Sequence, residues 1–162
     1  MAVSFTMAKT HRYTLHMEWT GNEGTGTSGY RAYGRQHRLS APGKSDIFGS
    51  ADPAFRGDAA AWNPEEMLVA SISACHQLWY LHLAADAGII VTDYRDDPVG
   101  ELPEDENGSG AFALVTLHPR IRLANPHRAD EAQALHHRAH EMCFIARSVN
   151  FPVLCEPVVE TD

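Results

Sequence analysis

No stretch of this 162-residue sequence stays apolar for the ~20 residues a membrane-spanning helix needs. The longest candidate, residues 67–87, is interrupted by Ser71, Ser73, His76, Gln77, His82 and Asp86. Residues 1–12 hold no apolar core ahead of a small-residue cleavage site, so no secretory signal is expected, and a cytoplasmic location follows as the default. Positive charge is scarce as well: 13 Lys and Arg stand against 21 Asp and Glu, a net charge of −8, and only residues 31–38 form a short basic stretch. Nucleic-acid binding by counterion release requires clustered Lys and Arg, so the expected substrate is a small molecule. The three cysteines are too few, and odd in number, for a disulfide framework. They leave either one reactive pair plus a bystander or three buried thiols.

What is present is ordinary globular material, 44% hydrophobic and 21% charged, enough for one domain over residues 1–162 around one core. Residues 11–19 alternate, with Tyr13, Leu15, Met17 and Trp19 on one face, and read as a strand. A Gly- and Thr-rich turn follows over 21–29, then a second strand over 30–39. Residues 46–61 read as an ordered loop that starts with a short strand. Asn63 as N-cap, Pro64 in the first helical position and Glu66 three residues after the cap mark a helix start, and Gly88 marks its stop. That helix is apolar nearly all round over 67–74, which predicts burial on every side. A strand over 89–94 and 99–102 with a bend at Asp96-Asp97-Pro98, and a long strand over 112–123 carrying Pro119 as a sign of an edge or bulge, are expected next. A second helix over 125–149 and a closing strand over 153–159 complete a β-β-α-β-β-α-β order. Hairpin-connected strands of this kind predict an α+β fold with antiparallel sheets.

Chemistry can reside in the cysteines or the histidines. Cys75 lies inside the first helix, where a free cysteine commonly acts as a small buried hydrophobe. It is twelve residues past Asn63, beyond the reach of the helix dipole, so activation requires a neighbouring cation. A fall of the thiol pKa from ~8.5 to ~5.5 turns a few per cent of thiolate at pH 7 into nearly all of it, and a guanidinium is the natural agent. Cys143 lies in the second helix; two such thiols can bond only if their Cα atoms come within ~7 Å. Cys155, in the last strand, reads as structural. His136 and His140, at i and i+4 with His137 and Cys143 near, could grip one Zn²⁺, but no Glu completes a zincin pattern, and a solvated histidine face explains the same residues.

The segments Asn63-Pro64-Glu65-Glu66-Met67-Leu68-Val69-Ala70, Ser73-Ala74-Cys75-His76 and Ala139-His140-Glu141-Met142-Cys143-Phe144-Ile145-Ala146-Arg147-Ser148-Val149-Asn150-Phe151-Pro152-Val153, in this order, resemble the OsmC/Ohr family. Trp19-Thr20-Gly21 and Phe55-Arg56-Gly57 support the likeness, which covers nearly the whole chain. The resemblance implies an interlocked homodimer with active sites at the subunit interface and the two cysteines on two main helices. It implies a thiol peroxidase for organic hydroperoxides in which Cys75 attacks and Cys143 closes an intramolecular disulfide. It also implies no metal or organic cofactor, an external dithiol such as a lipoyl-protein as reductant, and Glu65 as the acidic residue that holds a catalytic arginine. Arg56 is the arginine expected, with Arg31 second. One branch of the family carries its arginine in the first turn, where this chain has Asn22-Glu23, so the likeness is to the OsmC-like branch. The same departure makes a non-catalytic binding or stress protein of this fold the alternative. On one straight helix Glu65 and Cys75 are ~15 Å apart. They can share a site only if the helix breaks or if Glu65 comes from a second chain.

Overall fold

The computed structural model describes residues 9–160, and the chain parts into two compact units between Pro64 and Glu65. No helix among the described residues is long and apolar enough to cross a membrane.

The first unit is a three-stranded antiparallel sheet in the order β1 (His16–Trp19), β2 (His37–Ser40), β3 (Ile47–Gly49). Glu18 stands opposite Arg38 in the register, and their side chains pair at 2.7 Å. The second strand starts at His37 and not at Tyr30 as the sequence predicts. Arg35 donates to the carbonyls of Tyr30 and Tyr33 and lies over both rings, 4.6 and 4.1 Å from their centroids. The turn closes on two glycines: Gly34 N–H donates to the Gly21 carbonyl, and a Cβ on Gly21 would sit 2.1 Å from the Gly34 oxygen. The alternating face of the first strand is exposed, Tyr13 at 89% and Met17 at 59%. The loop after β3 is ordered as expected, with a 3-10 turn over Pro53–Phe55 whose Ala54 N–H donates to the Asp52 carboxylate.

In the second unit, helix α1 (Pro64–Asp86) begins and ends where its signals place it. Gly88, at φ 66°, donates to the Ala85 carbonyl, and Ile89 donates to Ala84. This reciprocal pair is the Schellman closure that a left-handed glycine permits. Burial differs from the expectation: only the stripe Ile72, His76, Tyr80 and Ala84 is buried, at i+4 spacing, while Ala70, Ala74 and Leu78 are exposed. One face of the helix meets the sheets of its own unit, and apolar composition on the other faces does not cover them.

Two three-stranded sheets follow, β4 (Val91–Asp96) with β7 (Pro119–Leu123) and β9 (Val158–Glu160), and β5 (Val99–Glu101) with β6 (Leu114–Leu117) and β8 (Val153–Cys155). The single strand expected over 112–123 is thus two strands in two sheets. The break falls at His118, whose N–H donates to the Asp96 carboxylate and not to a ladder. The closing strand is divided likewise at Glu156-Pro157. The pairings β6–β8 and β7–β9 are parallel, so the fold is α+β with mixed sheets, not purely antiparallel ones. Helix α2 runs over Ala129–Met142, between 3-10 turns at Pro126–Arg128 and Ala146–Ser148, and so stops short of the expected 149.

One core cluster joins Tyr80, Ala84 and Ile89 to Ile121, Leu123, Ala132 and Ala139. The other joins Ile72 to Val115 and Leu117, with Leu68, Phe112 and Phe151 packed around them. Ile72 is fully buried there, so Ile72→Ala should lower unfolding free energy by about 2–5 kcal/mol in urea titration. A loss below about 1 kcal/mol would mean that the site collapses around the deletion.

Candidate functional site

The half-buried Cys75 sits in the middle of α1, and Cys143 is the fully buried C-cap of α2 rather than a residue within it. Its extended backbone (φ −68°, ψ 109°) ends the helix, and Ala146 N–H donates to its sulfur at 3.4 Å. Burial, and then the neighbouring Cys75 side chain, push its pKa up to about 11, against a smaller downward pull from the Ala146 and Ile145 N–H groups. Among the described residues all three cysteines are free thiols.

Trp79, one turn after Cys75 on the same helix, meets Phe144 edge to face at 5.7 Å, next to Cys143. On the same helix Ile72 is core, whereas Leu78 is 66% exposed.

Glu65 is half-buried in the first turn of α1, and the helix is unbroken between it and Cys75. At ~1.5 Å per residue their separation of about 15 Å stands. The two arginine candidates belong to the first unit. Arg56 is exposed, follows the 3-10 turn in a left-handed conformation (φ 66°) and has its guanidinium 6.0 Å from the centre of the Tyr30 ring. Arg31 is exposed in the preceding turn.

A second group of chemistry-bearing residues lies deeper in the second unit. His76 and His136 are buried, with Nε2 of the first 3.0 Å from Nδ1 of the second, and Cys155 Sγ lies 3.5 and 4.0 Å from these atoms. His136 also stacks on Tyr80, ring centres 4.0 Å apart. Burial lowers the pKa of both imidazoles, to about 4 for His76 and about 3 for His136, so both are neutral at pH 7. Burial and the charges of Asp96 and Glu156 raise Cys155 to about 12.

Sequence reading places His136 on a solvated face; only its neighbour His137, 84% exposed, is there. His136 groups not with His140 and Cys143 but with His76 and Cys155. Nothing in the sequence spacing links residues 76, 136 and 155. Asp96, which accepts from Ser73 Oγ and the His118 N–H and so ties α1 to the break between β6 and β7, was not singled out either.

Fold and site together define an α+β protein with one free thiol in the middle of α1 and another at the end of α2. The family model for OsmC-like proteins matches residues 57–157, well over half of the sequence, and the chain belongs to that family. An OsmC-like protein of unknown function from Vibrio cholerae is 30% identical, with a TM-score of 0.82, the match covering 92% of this chain and 100% of that one. An organic hydroperoxide resistance protein from Elizabethkingia anophelis shares the fold at 20% identity and a TM-score of 0.65, over 95% of this chain and 100% of its own. The organic hydroperoxide resistance protein OhrB of Bacillus subtilis does so at 21% identity and 0.57, over 91% and 98%. No curated protein matches the sequence at a significant level.

Proposed function

We propose that this chain is a thiol-dependent peroxidase that reduces organic hydroperoxides through Cys75 and Cys143. The Cys75 thiolate attacks the terminal peroxide oxygen, the O–O bond breaks, and the leaving alkoxide takes a proton and departs as alcohol. Cys75 is left as a sulfenic acid. The Cys143 thiolate then attacks that sulfur, hydroxide leaves and is protonated to water, and a disulfide remains. A small dithiol of the lipoyl type returns the two electrons by exchange.

The observation that carries this reading is the influence of the Cys75 side chain on the Cys143 thiol, which supports two sulfurs within reach of one another. Their unequal burial suits the roles: the attacking thiol is half-exposed and the resolving one is shielded from peroxide. Solved structures of hydroperoxide resistance proteins with this fold add support of a coarser kind.

An unbroken helix leaves one route for Glu65 to serve Cys75, namely from a second chain. We therefore infer a homodimer, in keeping with the exposed apolar side chains of Tyr13, Leu15 and Met17. Arg56 is assigned as the activating guanidinium, with Arg31 second, and the cytoplasm as the compartment.

One equivalent of cumene hydroperoxide, followed by alkylation and peptide mass mapping, should yield a Cys75–Cys143 disulfide and leave Cys155 alkylated. Recovery of all three thiols unchanged would favour a non-catalytic binding protein of this family instead.

A further inference from the structure

His76, His136 and Cys155 converge inside the second unit, and the peroxide chemistry uses none of them. Their three ligating atoms lie within 4.8 Å of one another, on α1, α2 and β8. The N···N edge is 3.0 Å and the two N···S edges are 3.5 and 4.0 Å. An ion with Zn–N bonds of ~2.0–2.1 Å and a Zn–S bond of ~2.3 Å in tetrahedral geometry has edges of about 3.3 and 3.6 Å. The observed triangle departs from those values by less than about half an ångström; the two rings, 9° apart in plane with centres 5.3 Å apart, must turn to aim both lone pairs at one ion.

Without an ion, the protons in this triangle conflict. A neutral imidazole has one N–H and one in-plane lone pair. If His136 Nδ1–H donates to His76 Nε2, the Cys155 S–H competes for the same lone pair. If His76 Nε2–H donates to His136 Nδ1, the thiol meets an N–H at 3.5 Å and an occupied lone pair at 4.0 Å. A buried polar group left short of a partner is costly, and a cation in place of the contested protons uses all three lone pairs at once. The negative charge of Asp96 acts on His76 and Cys155, and that of Glu156 on Cys155, which suits a cation at this place. The raised thiol is no obstacle, because a coordinating thiol is deprotonated by the metal itself.

We propose that His76 Nε2, His136 Nδ1 and Cys155 Sγ bind one divalent transition-metal ion of the zinc type, with a fourth position open. Two of the three ligands, His136 and Cys155, line a cleft of about 330 Å³ together with His140. Three protein ligands and one exchangeable place make this an open site, able to hold water or a small ligand.

Equilibrium dialysis of the full chain against Zn²⁺ should give one ion per chain, and Co²⁺ should give thiolate-to-cobalt charge transfer with intense tetrahedral d–d bands. A Cys75→Ser/Cys143→Ser protein should retain both signals, whereas Cys155→Ser should weaken zinc binding by more than about a hundredfold. Should Cys155→Ser fail to fold, the intact protein decides: Zn²⁺ must protect Cys155 from alkylation, as read by mass spectrometry, and a chelator must reverse the protection. The proposal is overturned by substoichiometric metal, by a cobalt spectrum without thiolate bands, or by binding that follows the Cys75–Cys143 pair instead of Cys155.

Discussion

Cys75→Ser should lower the rate of cumene hydroperoxide consumption by at least about a thousandfold at pH 7. Serine at that position has no accessible anion near neutral pH and lacks the polarisable sulfur that displaces alkoxide from oxygen. The remaining thiols cannot take over. Cys143 is fully buried with its pKa at about 11, and Cys155 stands at about 12. At pH 7 each therefore ionises to about one part in ten thousand or less. Cys143→Ser has a different signature, because the sulfenic acid still forms; turnover should continue only when an external thiol resolves it. Peroxide consumption followed by ferrous-ion oxidation separates the two variants. A Cys75→Ser protein working within tenfold of the parent would remove the peroxidase reading.

The first helix was legible because both its ends are written in local chemistry. Asn63-Pro64 fixes the entry, and Gly88 alone can take the left-handed conformation that closes the exit. The family segments, with Cys75 and Cys143 in them, were legible for a similar reason: each lies within one short stretch of chain. What was not legible depends on contacts between distant residues. The division of the expected 112–123 strand at His118 follows from an Asp96 carboxylate 22 residues upstream, which no alternation of apolar residues encodes. The end of α2 at Cys143 was missed because apolar residues continue beyond it, through Phe144 and Ile145, as they would in a helix. His136 was misplaced because the buried stripe of α2 is Ala132, His136 and Ala139, small and polar residues that do not mark an apolar face. The cluster it forms joins residues 60 and 79 positions apart in pairs with His76, a separation over which spacing carries no signal.

The disulfide-forming step should be steeply pH-dependent, rising about tenfold per pH unit between pH 6 and 9. Attack on a Cys75 sulfenic acid requires the Cys143 thiolate, and burial above all pushes the pKa of that thiol up to about 11. A thiol with a raised pKa is the neutral species throughout the range below it, so its reactive fraction falls tenfold with each unit of decreasing pH. The sulfenic acid should then persist at pH 6, where dimedone traps it, and give way to disulfide within the same interval at pH 9. Rapid-quench experiments after a single pulse of hydroperoxide would measure both species. The position of the bend in the profile is the diagnostic: an unperturbed thiol bends near pH ~8.5, whereas the buried C-cap sulfur of α2 should show no bend below about pH 10. A rate that is flat across pH 6 to 9 would mean that another thiol, or a base acting on Cys143, closes the bond.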